Sequence, residues 1–175
     1  SFLNTVLRTA IAFIVSFFLA ALFAVIGIIS KCFGLFIKPF ISVFRTLPTL
    51  AVILILLCWT TPVVAPTAVT VLVLFPMIYS QINTAVSGID GGIIDMAKVY
   101  KITEKEKLAK IYLPMIAPSI LAQTGANISL GIKVMISAEV LAGTYRSLGG
   151  LMQNARLYID MPKLTALTVV AVLMG

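Results

Sequence analysis

Residues 6–29 form an almost uninterrupted apolar run, which constrains the fold more than any other feature of the sequence. At about 1.5 Å per residue, a helix of this length crosses the roughly 30 Å hydrocarbon core of a bilayer. The composition agrees, because 61% of the residues are hydrophobic and only 11% are charged, whereas a soluble domain is about half apolar and a quarter charged. The sequence therefore predicts an all-α, polytopic bundle of transmembrane helices.

Further apolar segments predict about five spans in this chain. The second segment, 47–59, is short and can cross only if its helix begins within the mixed segment 30–45, which has the character of an interfacial, amphipathic linker. The third span is predicted over 65–82, the fourth over 115–142 and the fifth from residue 163 onward. Because residues 164–175 give only about 18 Å of helix, and the chain starts with Ser1 instead of Met, we expect a single membrane domain over 1–175 that is truncated at both ends.

Several kinds of site are excluded by composition. The sequence has no histidine, which removes H-E-x-x-H zinc sites, Ser-His-Asp triads and haem ligation by His. Cys32 and Cys58 form no C-x-x-C pair, so we interpret both as packing residues. There is also no Walker A motif. We therefore expect that the chain is not an enzyme and has no metal site.

Basic residues predict the orientation of the bundle. The segment 30–46 carries three Lys or Arg residues and 87–114 carries five, whereas the connections on the other predicted side carry three. The positive-inside rule then places 87–114 in the cytoplasm. The net charge of +7 reflects topology and contact with membrane lipid. Nucleic acid is not an expected partner, because no soluble domain carries the basic residues.

The charged segment DMAKVYKITEKEKLAKIYLP, residues 95–114, has the pattern of two short helices. Asp90 can cap the first, and Thr103 with Glu106 has capping-box spacing for the second, which Pro114 separates from the fourth span. An apolar stripe on the first helix consists of Ile93, Met96, Ala97 and Tyr100. Such a pair can dock into a groove on another protein. An ordinary solvated loop that only enforces topology explains the composition equally well.

The spacing within this segment favours docking. Asp95-Met96-Ala97, Lys101 after three more residues, and Ile111-Tyr112-Leu113-Pro114 after nine more closely resemble the E-A-A-x3-G-x9-I-x-L-P loop of the permease subunits of bacterial ABC importers. Here Asp95 replaces the usual Glu. Lys101 replaces the usual Gly, which puts a Cβ at a turn where glycine could take a positive φ. The segments 44–59 (FRTLPTLAVILILLCW), 137–143 (SAEVLAG) and 148–151 (LGGL) resemble the nitrate, taurine and sulfonate type of these permeases.

This resemblance implies a homodimer of permease subunits in the bacterial inner membrane. Two ATPase subunits would grip the cytoplasmic loop 88–114, and an extracytoplasmic binding protein would deliver the substrate. ATP would be bound by the partner, so no cofactor is expected in this chain. The implied substrate is a small anion such as nitrate or a sulfonate such as taurine, although importers of thiamine precursors look similar. The residues implied in coupling to the ATPase are Asp95, Met96, Ala97, Lys101, Ile111, Leu113 and Pro114.

A polar face on the fourth span is the candidate translocation path. At 100° per residue, one arc contains Ser119, Gln123, Asn127, Ser129, Lys133 and Ser137. The neutral residues can line a path or make interhelical hydrogen bonds. The charge of Lys133 is costly inside a membrane unless it is paired or hydrated. The residue therefore either belongs to the path or extends its ammonium group to the membrane surface. Glu139 lies on the opposite side, and we expect it to have a structural partner, either Arg146 or Arg156.

Small residues recur at every fourth position of the first span: Ala12, Ser16, Ala20 and Ala24. They predict close helix packing.

Two other functional classes remain open. A secondary transporter or channel could share these helices, but it would need no capped docking segment, and the sequence lacks carboxylates at mid-membrane. A membrane scaffold subunit is the second alternative, but this role does not explain the spacing of the motif.

Overall fold

The computed structural model describes residues 2–100 and 102–175, and the regular elements in those residues are all helical. The helices are α1 (Phe2–Ile29), α2 (Lys31–Thr46), α3 (Thr49–Trp59), α4 (Ala65–Ser87), α5 (Gly91–Val99), α6 (Glu104–Lys107), a π-helical turn (Leu108–Tyr112), α7 (Leu113–Ala142), α8 (Leu148–Leu157) and α9 (Met161–Met174). Lys101, which the resemblance implicates in coupling, lies outside the described residues. The predicted all-α class is confirmed.

Three helical segments are long and apolar enough to cross a membrane: α1, α4 and Leu108–Ala142. The pair α2 and α3 passes the same test together but is bent by 96° at a short break, so it is a broken span or a re-entrant segment. The described part of the chain therefore has three or four candidate spans, where the sequence predicted about five. The helix α3 has 11 residues, about 16 Å, and is too short to cross alone. The apolar helix α9 is also shorter than a span.

Small side chains bring α1 against α4. Ala12, Ser16, Ala20 and Ala24 are all buried. The hydroxyl of Ser16 donates to the carbonyl of Ala12 at 2.6 Å and lies 3.4 Å from the carbonyl oxygen of Val71 on α4. Small residues let two helix backbones approach closely, which is the main source of packing energy in a bilayer. The prediction of close packing along this stripe is confirmed.

A buried carboxylate joins α1, α7 and α8 at one end of the bundle. Glu139 is fully buried and accepts hydrogen bonds from the Thr5 hydroxyl at 2.8 Å and the Gly149 N–H at 3.3 Å. The guanidinium of Arg8 lies 3.4 Å from its other oxygen. The Thr5 hydroxyl in turn accepts from the Leu148 N–H at 3.0 Å. Because an ionised carboxylate is stable in a buried site only when it is paired and hydrogen-bonded, these groups hold the three helices together.

The predicted partners of Glu139 are therefore wrong. Its cation is Arg8, from the start of α1, and not Arg146 or Arg156. Arg146 is exposed and lies 5.5 Å from the ring centre of Tyr145. Arg8 is 131 positions from Glu139 in sequence, so no local pattern connects the two residues.

The helix α8 packs unusually close to the end of α7. Ser147 caps α8 by accepting a hydrogen bond from the Gly150 N–H at 2.9 Å. A Cβ at Gly149 would lie 2.4 Å from the Glu139 Cβ and 2.7 Å from the Ile136 carbonyl oxygen. Only glycine fits at position 149 without moving one of the two helices.

Two further expectations are corrected by the structure. Pro114 does not separate a cytoplasmic helix from the fourth span, because the chain is helical from Glu104 to Ala142 with a π-helical turn in between. Pro114 lies in the first turn of α7, where the missing N–H is tolerated, and the wider turn before it has already shifted the hydrogen-bond register. Cys32 and Cys58 are free and exposed, so their interpretation as packing residues is wrong.

Replacing Gly149 with Ala should destabilise the protein by about 1–3 kcal/mol, the usual cost of overpacking. The matched control is Gly125→Ala in α7, where an added Cβ meets nothing within 4 Å. That variant should be neutral or gain up to about 1 kcal/mol from helix propensity. The free energy of unfolding is measured in detergent, with the loss of the helical circular dichroism signal as the readout. Equal stability of the two variants would contradict the close packing of α8 on α7.

Candidate functional site

A polar cavity lies between the end of α2, the second half of α4 and the start of α7. Its volume is about 540 Å³, within the range of ligand pockets. Its polar lining consists of Arg45, Ser80, Gln81, Thr84, Ser119 and Gln123. Arg45 comes from the last turn of α2, and its Nη1 donates to the Ser80 hydroxyl at 3.1 Å. The fold thus presents one guanidinium to a wall of hydroxyls and amides.

Two residues of the predicted polar face line this cavity. Ser119 and Gln123 are one turn apart on α7, and the Gln123 amide donates to the Ser119 carbonyl at 3.2 Å. The same amide lies 3.4 Å from the Ser119 hydroxyl. Their side chains are therefore ordered along the wall of the cavity by the helix itself.

Asn127, the next residue of that face, is buried between helices. Its amide donates to the Gln81 carbonyl oxygen at 2.7 Å, and the Gln81 amide donates back to Asn127 at 2.9 Å. The two side chains satisfy each other across α4 and α7, while Gln81 also lines the cavity. Asn127 therefore stands behind the cavity wall, where it holds Gln81 in place.

The remaining residues of the predicted face lie farther along α7. Lys133 and Ser137 are both exposed, and the Ser137 hydroxyl donates to the Lys133 carbonyl at 2.8 Å. The Ser129 hydroxyl donates to the carbonyl of Gly175 after α9. Ser129 and Lys133 lie beside Gly175 at the end of α9, and Ser137 lies one turn farther along α7, so all three are apart from the cavity. The polar face is thus divided between two environments.

Several cavity residues were missed by sequence reasoning. The sequence identifies Arg45 only as a topology charge in the linker, and Ser80 and Gln81 fall within the third predicted span, 65–82, with Thr84 just beyond it. A signal was present, because five of the last eight residues of α4 are polar, which is unusual for a lipid-facing helix. Their partner Arg45 could not be found from sequence, because it meets Ser80 across 35 positions of the chain.

The coupling-type segment begins with a capped helix at the same end of the bundle as the cavity. Asp90 accepts a hydrogen bond from the Gly92 N–H at 3.0 Å, as an N-cap residue does. In the helix α5 that follows, Ala97 is fully buried and Met96 is 54% exposed, and Tyr100, directly after the helix, is 73% exposed. The predicted apolar stripe is therefore split, with Ala97 facing inward and two large apolar side chains facing outward. Asp95 is also exposed.

The second half of the segment begins with the predicted capping box. The Thr103 hydroxyl and backbone N–H both donate to the Glu106 carboxylate, at 2.8 and 3.2 Å, and the Glu106 N–H lies 3.4 Å from the Thr103 hydroxyl. The hydrogen bonds from Thr103 hold the pKa of the Glu106 carboxyl below its usual value, and the nearby charge of Lys110 lowers it further. The capping-box prediction is confirmed.

The last residues implied in coupling lead directly into α7. Ile111 belongs to the π-helical turn and is partly buried. Leu113 is exposed at the start of α7, and Pro114 follows in its first turn. The second half of the segment, from Glu104, and the long membrane helix therefore form one continuous helix up to Ala142.

Comparison with known proteins gives a consistent result. The family model described as "Binding-protein-dependent transport system inner membrane component" matches residues 17–175. The chain is also similar to the putative aliphatic sulfonates transport permease protein SsuC of Bacillus subtilis (strain 168), with 25% identity over 174 residues. That alignment covers 98% of this chain and 62% of the relative, so the chain spans about three fifths of the relative's length.

The amide pair between Gln81 and Asn127 should behave as one unit. Gln81→Leu or Asn127→Leu alone leaves the partner amide unsatisfied. The double variant should therefore lose less free energy of unfolding than the sum of the two single losses. The coupling energy expected from a double-mutant cycle on the free energy of unfolding is about 0.6–1.7 kcal/mol. The control cycle pairs Asn127→Leu with Ser137→Ala, ten residues or about 15 Å farther along α7, and these two changes should be additive. Additivity in the first cycle would contradict the pairing.

The capping box predicts a pH-dependent start of α6. A lowered pKa means that the ionised form of Glu106 stabilises the folded segment. This contribution is present above the unfolded pKa of about 4.3 and is lost as the pH falls through the folded value. In a carbon-13 NMR titration, Thr103→Val should move the Glu106 midpoint upward. Thr165→Val, which removes a hydroxyl bonded to Met161 on α9, should leave it unchanged. An unaltered midpoint in Thr103→Val would refute the assignment.

Proposed function

Because the chain belongs to the family of binding-protein-dependent transport system inner membrane components, as its resemblance to ABC importer permeases predicted, we propose that it is the permease subunit of an ATP-driven importer. In this role it forms the translocation path, and a separate partner subunit binds and hydrolyses ATP. The family is a membrane component of transport systems and not an enzyme. The chain needs no cofactor of its own for this role.

The observation that carries the coupling role is the outward exposure of apolar side chains on α5. Met96, Val99 and Tyr100 are 54%, 79% and 73% exposed on a short capped helix or directly after it. Such side chains at the surface are typical of a docking site. We assign this surface, within residues 88–114, to the ATPase subunit, which places the segment in the cytoplasm and the bundle in the bacterial inner membrane. Charge on the loop agrees with that orientation.

The proposed path uses the polar face of α7. Ser119 and Gln123 would contact the substrate in the cavity, with Asn127 supporting the wall. Lys133 and Ser137 would belong to a farther part of the path along α7. A second copy of the chain would complete the path as a homodimer. An extracytoplasmic binding protein would deliver the substrate, and membrane lipid would surround the exposed apolar helix faces.

The proposed substrate is a small anion of the sulfonate or nitrate type. The similarity to a relative whose name specifies aliphatic sulfonates supports this class. The basic character of the cavity supports it independently, since its described lining contains a guanidinium and no carboxylate.

Met96→Glu should disrupt docking of the ATPase, because it places a charge in the apolar contact. We expect about tenfold or more loss of the ATPase subunit that co-purifies with the permease, the usual effect of losing an interface anchor. Asp95→Lys should act in the same direction. Insertion of the permease into the membrane should be unchanged.

The matched control is Met161→Glu, a methionine of similar exposure, 60%, at the start of α9. It should leave the amount of bound ATPase unchanged. Full recovery of the ATPase with Met96→Glu, or equal losses in both variants, would remove the basis for assigning α5 to the coupling contact.

A further inference from the structure

We propose that the cavity beside α2 is an oxoanion-binding subsite and that Arg45 is the residue that recognises the negative charge. The inference rests on the proposed function for its place in a transport path. It adds a named binding site, a ligand class and a specificity residue on α2, a helix outside the polar face of α7. The ligand class is a small tetrahedral or planar oxoanion, such as an alkanesulfonate.

The first argument is the chemistry of the lining. The hydroxyls of Ser80 and Ser119 and the amide of Gln123 can donate hydrogen bonds to anionic oxygens, whereas the Thr84 hydroxyl already donates to the Ser80 carbonyl at 2.9 Å. Arg45 adds a planar guanidinium, which suits sulfonate, carboxylate and phosphate groups better than a point charge does. The described lining contains no Asp or Glu. A cation would find no charge partner here, and an anion finds several donors.

The second argument is that the guanidinium is not neutralised. Its side-chain hydrogen bond goes to the neutral hydroxyl of Ser80 at 3.1 Å. Within residues 2–100 and 102–175, no carboxylate forms an ion pair with Arg45. Arginine has five N–H donors, so most of them stay available for a ligand. By contrast, the guanidinium of Arg8 is committed to Glu139.

The third argument is the depth at which the Arg45 guanidinium lies between the helices. Ser80 lies about 10 Å of helix before the end of α4 at Ser87. A basic residue that only enforced topology would sit beyond the helix end, where water solvates it fully. A guanidinium held farther in is costly unless it faces a wet cavity, and the cavity supplies that environment.

The fourth argument is continuity with a second cavity. A space of about 330 Å³ shares Arg45, Ser80 and Thr84 with the first and adds Lys38. Lys38 is two turns before Arg45 on α2 and therefore lies on the same face of the helix. Two cationic side chains along adjoining cavities let an anion pass from one to the next without being held too tightly at either.

The test measures the charge preference of the cavity directly. After Cys32 and Cys58, both exposed, are replaced by Ser, a reporter cysteine is introduced as Ser119→Cys. It is labelled in the intact permease with the anionic 2-sulfonatoethyl methanethiosulfonate and with the cationic 2-(trimethylammonium)ethyl methanethiosulfonate. The ratio of the two rates, corrected for the ratio with a free thiol, should favour the sulfonate reagent.

Arg45→Gln should lower that ratio about fivefold. The charge of Arg45 attracts the anionic reagent and repels the cationic one, and the combined effect of one unit charge through water is of about this size. Arg45→Lys should keep most of the preference, because it keeps the charge. A second reporter, Ser137→Cys, lies about 27 Å farther along α7 and outside the cavity lining, and its ratio should not change. In the chain that retains Arg45, the preference at position 119 should also shrink as salt is raised, a readout that does not depend on a variant folding.

An unchanged ratio at position 119 in Arg45→Gln would overturn the proposal. So would an equal fall at position 137, or a preference insensitive to salt. ATP-driven uptake of ethanesulfonate by the assembled transporter is measured separately. Loss of uptake in every form, with the Arg45-dependent labelling intact, would refute the proposed importer function and leave the anion site standing.

Discussion

The fully buried carboxylate of Glu139 is the interaction on which the rest of the bundle depends. It draws groups from the start of α1, the end of α7 and the start of α8 to one point. Since each of those groups would be left unsatisfied without the others, the three helices meet there as a unit. Once their ends are joined, α1 and α4 run alongside α7 toward the cavity. The position of Ser119 and Gln123 therefore depends on a contact near the opposite end of the same helix.

Polar contacts then hold the helices at successive levels. Beyond Glu139, the small residues of α1 bring Ser16 to the backbone of α4, and farther along Gln81 and Asn127 join α4 to α7. Because lipid is as apolar as a leucine side chain, helix packing in a membrane relies on such close approaches and hydrogen bonds. The bent pair α2 and α3 lies outside this framework, and it carries Arg45. The structure thus places a cation from a peripheral segment against a well-supported wall.

The sequence was sufficient for features whose causes are local. Apolar length predicted the long helices, the spacing of Thr103 and Glu106 predicted the capping box, and the stripe from Ala12 to Ala24 predicted close packing. The features that were missed depend on distant contacts. Arg8 and Glu139 are paired across 131 positions, and Arg45 meets Ser80 across 35. The polar face of α7 was found as a face, but its division between a cavity and a helix contact depends on the neighbours of each residue.

The π-helical turn at Leu108–Tyr112 has a geometric consequence for how the two ends of the long helix are oriented. A turn bonded five residues back holds one residue more than an α-helical turn, and each residue of an α-helix advances it by about 100°. The turn therefore sets the rotational phase between the charged segment before it and α7 after it. A chain shortened by one residue at this point would close the turn into regular α-helix. It would then turn a different side of the segment toward the bundle, where Ala97 now faces inward.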